Sequence, residues 1–206
     1  MTEPRKEESG ARPSSGRAFL SRTQKVSRCT QSHRGVVPPP LKTQLIFWPL
    51  MVVGIALDLW SKRAVFDWLR QQQSNSISII DGFLRLVEER NPGAAFGIAS
   101  GQRYLLIAVS VIALIVIFGI FLFSGTERKL VHIALGLFAA GVCGNLYDRI
   151  FNDGSVRDFI DIVYWPGKHW PAFNIADSLL CVGVGLMIIS CLLTDKSPPG
   201  HAQQHR

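Results

Sequence analysis

Tyr104 to Phe123 reads YLLIAVSVIALIVIFGIFLF, twenty residues without one charge. At about 1.5 Å of rise per residue, a helix of that length covers about 30 Å, the thickness of a bilayer's hydrocarbon core. Working outward, three further apolar segments share this character: residues 43–60, 130–146 and 175–193. The fold class this predicts is an all-α integral membrane protein with four transmembrane helices. An even number of crossings returns the chain to the side on which it began.

Charge decides which side that is. Residues 1–44 carry nine Lys/Arg against three Asp/Glu, whereas the remaining 162 carry thirteen against twelve, so the N-terminal stretch supplies nearly all of the net +7. A near-neutral, apolar body excludes a nucleic-acid-binding domain, whose folded face would carry the basic patch. The basic stretch is also rich in Ser, Gln and Pro, ending in Pro38-Pro39-Pro40, and cannot bury enough surface to offset its ordering entropy. Residues 1–42 are therefore expected to be a disordered basic cytoplasmic tail. A cleaved secretory leader does not fit, because the charged region is too long and no small-x-small site closes the first apolar segment. Arg128 and Lys129 fill the turn between the second and third segments, and Lys196 follows the fourth. By the positive-inside rule both termini and that turn face the cytoplasm, with residues 196–206 a second cytoplasmic tail.

The connections of about 65–103 and 147–174 then face outward. In the first, Ile77 to Ile80, an Asp81-Gly82 turn signal and Phe83 to Val87 alternate well enough for a β-hairpin. It has to lie on the membrane surface as a small extracytoplasmic β-hairpin or cradle, because open sheet edges do not survive in hydrocarbon. Trp60, Trp68, Trp165 and Trp170 all fall near outer segment ends, as an aromatic belt requires. Cys29, Cys143, Cys181 and Cys191 form no C-x-x-C or ligand spacing and read as small hydrophobes. His132 has no second His or Glu at metal spacing, so no metal is expected.

Ionisable groups at membrane depth cost at least about 2.5 to 3.5 kcal/mol each and so need a reason. Asp58 and Lys62 are four apart near the outer end of the first segment, the spacing of an ion pair on one helix face. Asn145, Asp148 and Arg149 close the third segment, where helix termination with interfacial anchoring and a binding role fit equally well. Asp177 has to lie in the first turn of the fourth helix, where a carboxylate is favoured by the macrodipole. Asn174, three residues earlier, is the better-placed cap, so Asp177 is left available for chemistry. A partner acid comes from the preceding connection, and spacing leaves Asp148, Asp153, Asp158 and Asp161 all open. No serine forms a convincing nucleophile pair with a lysine or histidine on the same side.

Five blocks occur in a distinctive order: Asp58-Leu-Trp-Ser-Lys62, Asn91-Pro-Gly93-Ala-Ala-Phe96-Gly97, Gly144-Asn145-Leu-Tyr-Asp148-Arg149, Val156-Arg-Asp158-Phe-Ile, and Phe173-Asn174-Ile-Ala176-Asp177-Ser178. In these the chain resembles the lipoprotein signal peptidases, or type II signal peptidases, over residues 43–195. It departs from them in its long tail and in Ala140-Gly141, where a Gly-Gly pair is common. The resemblance implies a four-helix membrane peptidase domain over 43–195: an intramembrane aspartic endopeptidase of the bacterial cytoplasmic (inner) membrane, with its site at the outer face. Its substrates would be prolipoproteins carrying a diacylglyceryl-cysteine, cut immediately before that cysteine. It implies Asp158 and Asp177 as the catalytic pair and Asn145, Arg149 and Asn174 as the polar groups around them. Asn91 and Gly93 would belong to an outer loop that closes over substrate, and Asp58, Lys62 and Asp148 would be mainly structural. No metal or organic cofactor is expected, and the partners would be the prolipoproteins and membrane lipids, with no nucleic acid. A transporter binding cations through Asp58, Asp158 and Asp177 is the rival reading, but these acids cluster on one side and coupling sites usually lie near mid-membrane. A non-catalytic assembly factor is the third.

Overall fold

The computed structural model describes residues 39–94, 97–126 and 128–194. The two expected tails lie outside these residues, apart from 39–42. Eight elements follow in order: α1 (Leu41–Gln71), β1 (Ser76–Ile80), β2 (Leu84–Asn91), α2 (Arg103–Phe123), α3 (Lys129–Phe151), β3 (Val156–Trp165), β4 (Lys168–His169) and α4 (Ile175–Thr194). All four helices are long and apolar enough to cross a membrane.

Two helices outrun the apolar segments that announce them. The first segment stops being hydrophobic at Trp60, but α1 continues to Gln71, 31 residues in all. That is about 46 Å, well beyond a hydrocarbon core of about 30 Å. Its last turns are amphipathic: Lys62, Phe66 and Leu69 are buried, while Arg63, Asp67 and Arg70 are exposed. Hydropathy marks where the membrane ends, not where the helix does. Likewise α3 runs past Leu146 to Phe151, so Asp148 and Arg149 are helical.

The expected hairpin forms, with Ile77 opposite Leu86 and Ser78 opposite Arg85. It is half of an antiparallel sheet of order β1-β2-β3-β4, and the sequence reading had left β3 and β4 as plain connection. In the β2–β3 pair, Leu86 faces Ile160, Glu89 faces Asp158 and Asn91 faces Val156, with an irregularity between Leu86 and Glu89. Along β3 the buried positions include Asp158 and Asp161. Acids where a strand should show apolar residues hide its period, which explains why the strand could not be read.

Helix α3 packs against α1, α2 and α4, and its small residues allow the approach. A Cβ on Gly54 of α1 would lie 2.6 Å from the Ala140 Cβ. The Ala140-Gly141 variation is therefore matched by a glycine on the facing helix. On the other side, a Cβ on Gly141 would meet the Ala176 carbonyl and Leu180 of α4. At Gly144 it would run into the Asp58 carboxylate. Gly144→Ala should therefore lower stability by about 1 to 3 kcal/mol, because that carboxylate is buried and has nowhere to go. Thermal unfolding in detergent measures it; an unchanged melting temperature would mean that α1 and α3 separate freely.

At the far end of the bundle, Phe47 stacks on Phe121 with ring centroids 4.0 Å apart, and Phe118 and Trp48 pack beside them. His132 is buried there against Phe121, one ring nitrogen 2.8 Å from the Thr126 carbonyl oxygen. Trp60, Trp165 and Trp170 are exposed at the sheet end, where the aromatic belt was expected.

Candidate active site

Four charges meet where α1, α3 and β3 converge, three of them fully buried and the fourth, Arg157, partly so. Lys62 and Asp58 are fully buried, with Nζ 2.7 Å from Asp58 Oδ2. The same Nζ lies 3.2 Å from Asp148 Oδ2 and donates to Asn145 Oδ1 at 3.0 Å, so three acceptors meet its three hydrogens. Asp148 Oδ1 accepts from Arg157 Nε and Nη2 at 3.1 and 2.6 Å, and its Oδ2 accepts from the Arg157 backbone N–H at 3.0 Å. Two carboxylates against one ammonium and one guanidinium make the cluster neutral, which is what allows it to be buried. Asp58 Oδ1 also accepts from the Ala176 backbone N–H at 2.8 Å. An orphan donor of α4's first turn is thus capped from another helix.

The start of α4 is fixed by reciprocal caps. Asn174 Oδ1 accepts from the Asp177 N–H at 3.0 Å, and Asp177 Oδ2 accepts from the Asn174 N–H at 3.2 Å. This is a capping box with Asp in the role usually taken by Glu or Gln. Capping and availability, set against each other in the sequence reading, coexist: Asp177 caps with one oxygen, and the other accepts from Asn145 Nδ2 at 2.8 Å.

Strand β3 brings in the second acid. Phe159 and Ile160 donate their N–H groups to the Phe173 carbonyl, and Phe173 N–H returns to Ile160, binding the approach to α4 onto the strand. Asn174 Nδ2 then reaches Asp158 Oδ1 at 2.6 Å. Burial, followed by the nearby charge of Asp177, pushes the Asp158 carboxyl up to about 7; hydrogen bonds from Asn91 and Asn174 and the Lys62 charge oppose this without cancelling it.

The four candidate partner acids now separate. Asp148 is saturated by Lys62 and Arg157. Asp161 is turned onto His169 Nδ1 at 2.9 Å, with Arg85 Nε 3.8 Å away. Asp153 is exposed in a turn at φ 50°. Among the described residues, Asp158 is the one joined to Asp177 through shared amide partners. Arg149 stands beside both acids; its Nη2 donates to the Gly93 carbonyl at 3.0 Å and its Nη1 to the Asn145 carbonyl at 3.5 Å. Gly93 N–H in turn donates to Asn91 Oδ1 at 2.9 Å, tying the start of the loop after β2 to the site. The ten residues to which the resemblance gives a role thus belong to one region, and Asp153 and Asp161 do not join them. Arg157 was missed, and its only signal was a basic residue beside Asp158 in a strand that could not be recognised.

Four helices able to cross a membrane, with a buried carboxyl, Asp158, and a half-buried one, Asp177, joined through two asparagines at one end of the bundle, form the kind of site that a membrane-embedded protease of the aspartic type requires. The family model described as Signal peptidase (SPase) II matches residues 50–193, and the chain belongs to that family. It is 39% identical over 157 residues to the lipoprotein signal peptidase of Geobacter sulfurreducens, covering 75% of this chain and 96% of that protein. With the lipoprotein signal peptidase of Rhodopirellula baltica the identity is 34% over 178 residues, covering 79% and 78%. A bacterial membrane enzyme solved by the in meso method at 2.3 Å resolution superposes with a TM-score of 0.65 at 30% identity, covering 79% of this chain and 96% of that one.

Proposed function

We propose that this protein removes signal peptides from prolipoproteins whose cysteine already carries diacylglycerol, cutting immediately before that cysteine, with Asp158 and Asp177 as the catalytic pair. The supporting observation is the shared amide frame: buried Asp158 and half-buried Asp177 are bridged through Asn174 and Asn145, and the Asp158 carboxyl is pushed up to about 7. Close acids of this kind share one proton. The ionised one takes a proton from water as its oxygen attacks the scissile carbonyl carbon, and the neutral one gives its proton to the carbonyl oxygen. The lipid chains keep the substrate in the bilayer while water reaches the site from the outer surface. Arg149, Asn91 and Gly93 hold the loop that closes over the peptide. Residues 43–195 form the peptidase domain in this reading, with the tails outside it. Cleavage of a diacylglyceryl-modified prolipoprotein in detergent tests the proposal; equal cleavage of the unmodified precursor would remove the lipid requirement, and no cleavage of either would remove the activity.

The shared proton gives a pH dependence. An unfolded aspartate ionises near 3.9, whereas folded Asp158 holds its proton up to about 7. The folded state binds more protons through that window, so this residue's contribution to stability is full below the unfolded value and is lost as pH rises towards 7. Turnover should fall on the alkaline side for the same reason, kcat/KM declining as pH passes about 7. A profile measured from about pH 5 to 9 checks this; a rate still rising through pH 8 would contradict it.

We place both termini in the cytoplasm and the site at the outer face of the bacterial cytoplasmic membrane, on the strength of the basic N-terminal stretch and Arg128-Lys129. In a cysteine-free background, Asn75→Cys should react with a membrane-impermeant reagent added outside, and Thr126→Cys should not. The reverse pattern would invert the topology.

A further inference from the structure

Lys62 lies on the far side of Asn145 from Asp177, yet its hydrogen bond constrains what Asp177 can be. An ammonium only donates. With Nζ at 3.0 Å, the facing atom of Asn145 has to be its carbonyl oxygen, so its NH2 has to point at Asp177 Oδ1, 2.8 Å away. Asn174 is held the same way: the Asp177 N–H at 3.0 Å selects its oxygen, which turns its NH2 towards Asp158 Oδ1 at 2.6 Å and Asn145 Oδ1 at 3.2 Å. Neither amide can flip without setting donor against donor.

The two acids therefore stand in unequal surroundings. Both oxygens of Asp177 face donors of the fixed frame, Asn145 Nδ2 and the Asn174 backbone N–H. A proton on either would make that oxygen a poorer acceptor for the donor facing it, so this frame favours the carboxylate form of Asp177. Asp158 has one oxygen so placed. Its other hydrogen-bonding neighbour, Asn91, belongs to the loop after β2 and turns its NH2 towards the Ala94 carbonyl as well, at 3.5 Å.

We infer that Lys62 is a positioning residue for catalysis: by fixing the Asn145 amide, beside an Asn174 amide held by the Asp177 N–H, it sets which acid carries the shared proton, with Asp158 the resting acid and Asp177 the resting carboxylate. This rests on the proposal that these two form the catalytic pair. It deepens that proposal by assigning the roles: Asp177 takes the proton from attacking water, and Asp158 delivers its own to the scissile carbonyl oxygen. The raised value at Asp158 agrees with the geometry.

Thermal unfolding of the full-length protein in detergent, without substrate, reads the assignment directly. In Asp158→Asn the new NH2 stands where the proton was, and the melting temperature should stay within about 2 °C of the parent. In Asp177→Asn the new NH2 has to face a donor, and the melting temperature should fall by about 5 °C. Asn145→Asp/Asp177→Asn restores an acceptor opposite the new amide, keeps Lys62 and leaves net charge unchanged; it should recover at least half of that loss while remaining inactive. In an Asp58→Asn/Lys62→Met background, Asn145 Oδ1 keeps only the longer 3.2 Å bond from Asn174 Nδ2, so the amide turns more easily and the Asp177→Asn loss should shrink by half or more. That background should also show kcat lowered about tenfold with KM within about twofold, a split that a scaffolding role alone would not give. Asp158→Asn falling as far as Asp177→Asn, or no recovery in Asn145→Asp/Asp177→Asn, overturns the assignment. An undiminished Asp177→Asn loss in the lysine-free background overturns the role of Lys62. If that background does not fold, the Asn145→Asp/Asp177→Asn recovery decides on its own. Cleavage surviving in Asp158→Asn or Asp177→Asn would instead refute the catalytic pairing, and the melting pattern would remain readable.

Discussion

Asp158→Asn and Asp177→Asn should each reduce turnover by about a thousandfold or more, equivalent to about 4 kcal/mol in the barrier. Asparagine preserves shape and most hydrogen bonding but cannot hold or release the proton that the pair shares. Because the acids act as one unit, the double variant should be scarcely slower than either single one. Asp153→Asn is the clean control. Its side chain is exposed, and its φ of 50° is a conformation that asparagine adopts readily. Asp161→Asn is a sterner control, since Asp161 is buried against His169 with Arg85 nearby. It should keep most of the activity while losing some stability. Either catalytic variant that folds normally and still cleaves lipid-modified substrate within about tenfold of the parent would dismiss the aspartic mechanism and favour a cation-binding role.

What the sequence could say about this site depended on how far each interaction reaches along the chain. Asp177 was legible because the uncharged run that follows it, Ser178 to Leu193, forces it into α4's first turn, and the Asp58–Lys62 pair because the two are four apart. The four helices were legible because uncharged runs of that length have few alternatives. The hairpin was legible through Asp81-Gly82. Strand β3 was hidden by its own function: acids at buried positions erase the alternation that identifies a strand. The choice of Asp158 over Asp148 and Asp161 depended on Arg157, His169 and Arg85, each engaging one of these or standing beside it, and over Asp153 on that residue's exposure in a turn. Those pairings arise only once β3 lies against α3 and β2. The motif resemblance reached Asp158 by another route, without giving the reason that the other acids are occupied.

The largest stability effect should come from Lys62→Ala. The sequence suggested a local pair with Asp58, but the ammonium also serves Asp148 on another helix, and all three side chains are fully buried. Removing it leaves two carboxylates against the single Arg157 guanidinium. An uncompensated buried charge costs about 3 to 5 kcal/mol, enough to lower the melting temperature and the yield of folded protein sharply. Restoring neutrality should reverse most of this, and the structure ranks the ways of doing so. Asp58→Leu/Lys62→Met removes both charges and leaves Asp148 with Arg157, but it strips the cap from the Ala176 N–H. Asp58→Asn/Lys62→Met can keep an oxygen at that position, and should be the more stable of the two by about 1 kcal/mol, the worth of a helix cap. The expected order of melting temperatures is therefore parent, Asp58→Asn/Lys62→Met, Asp58→Leu/Lys62→Met, Lys62→Ala. If Lys62→Ala melts with the parent, the charges are solvated and the buried cluster is the wrong description. If the leucine variant outranks the asparagine one, hydrophobic packing at this junction outweighs the cap on α4, and the placement of Asp177 has to depend on Asn174 alone.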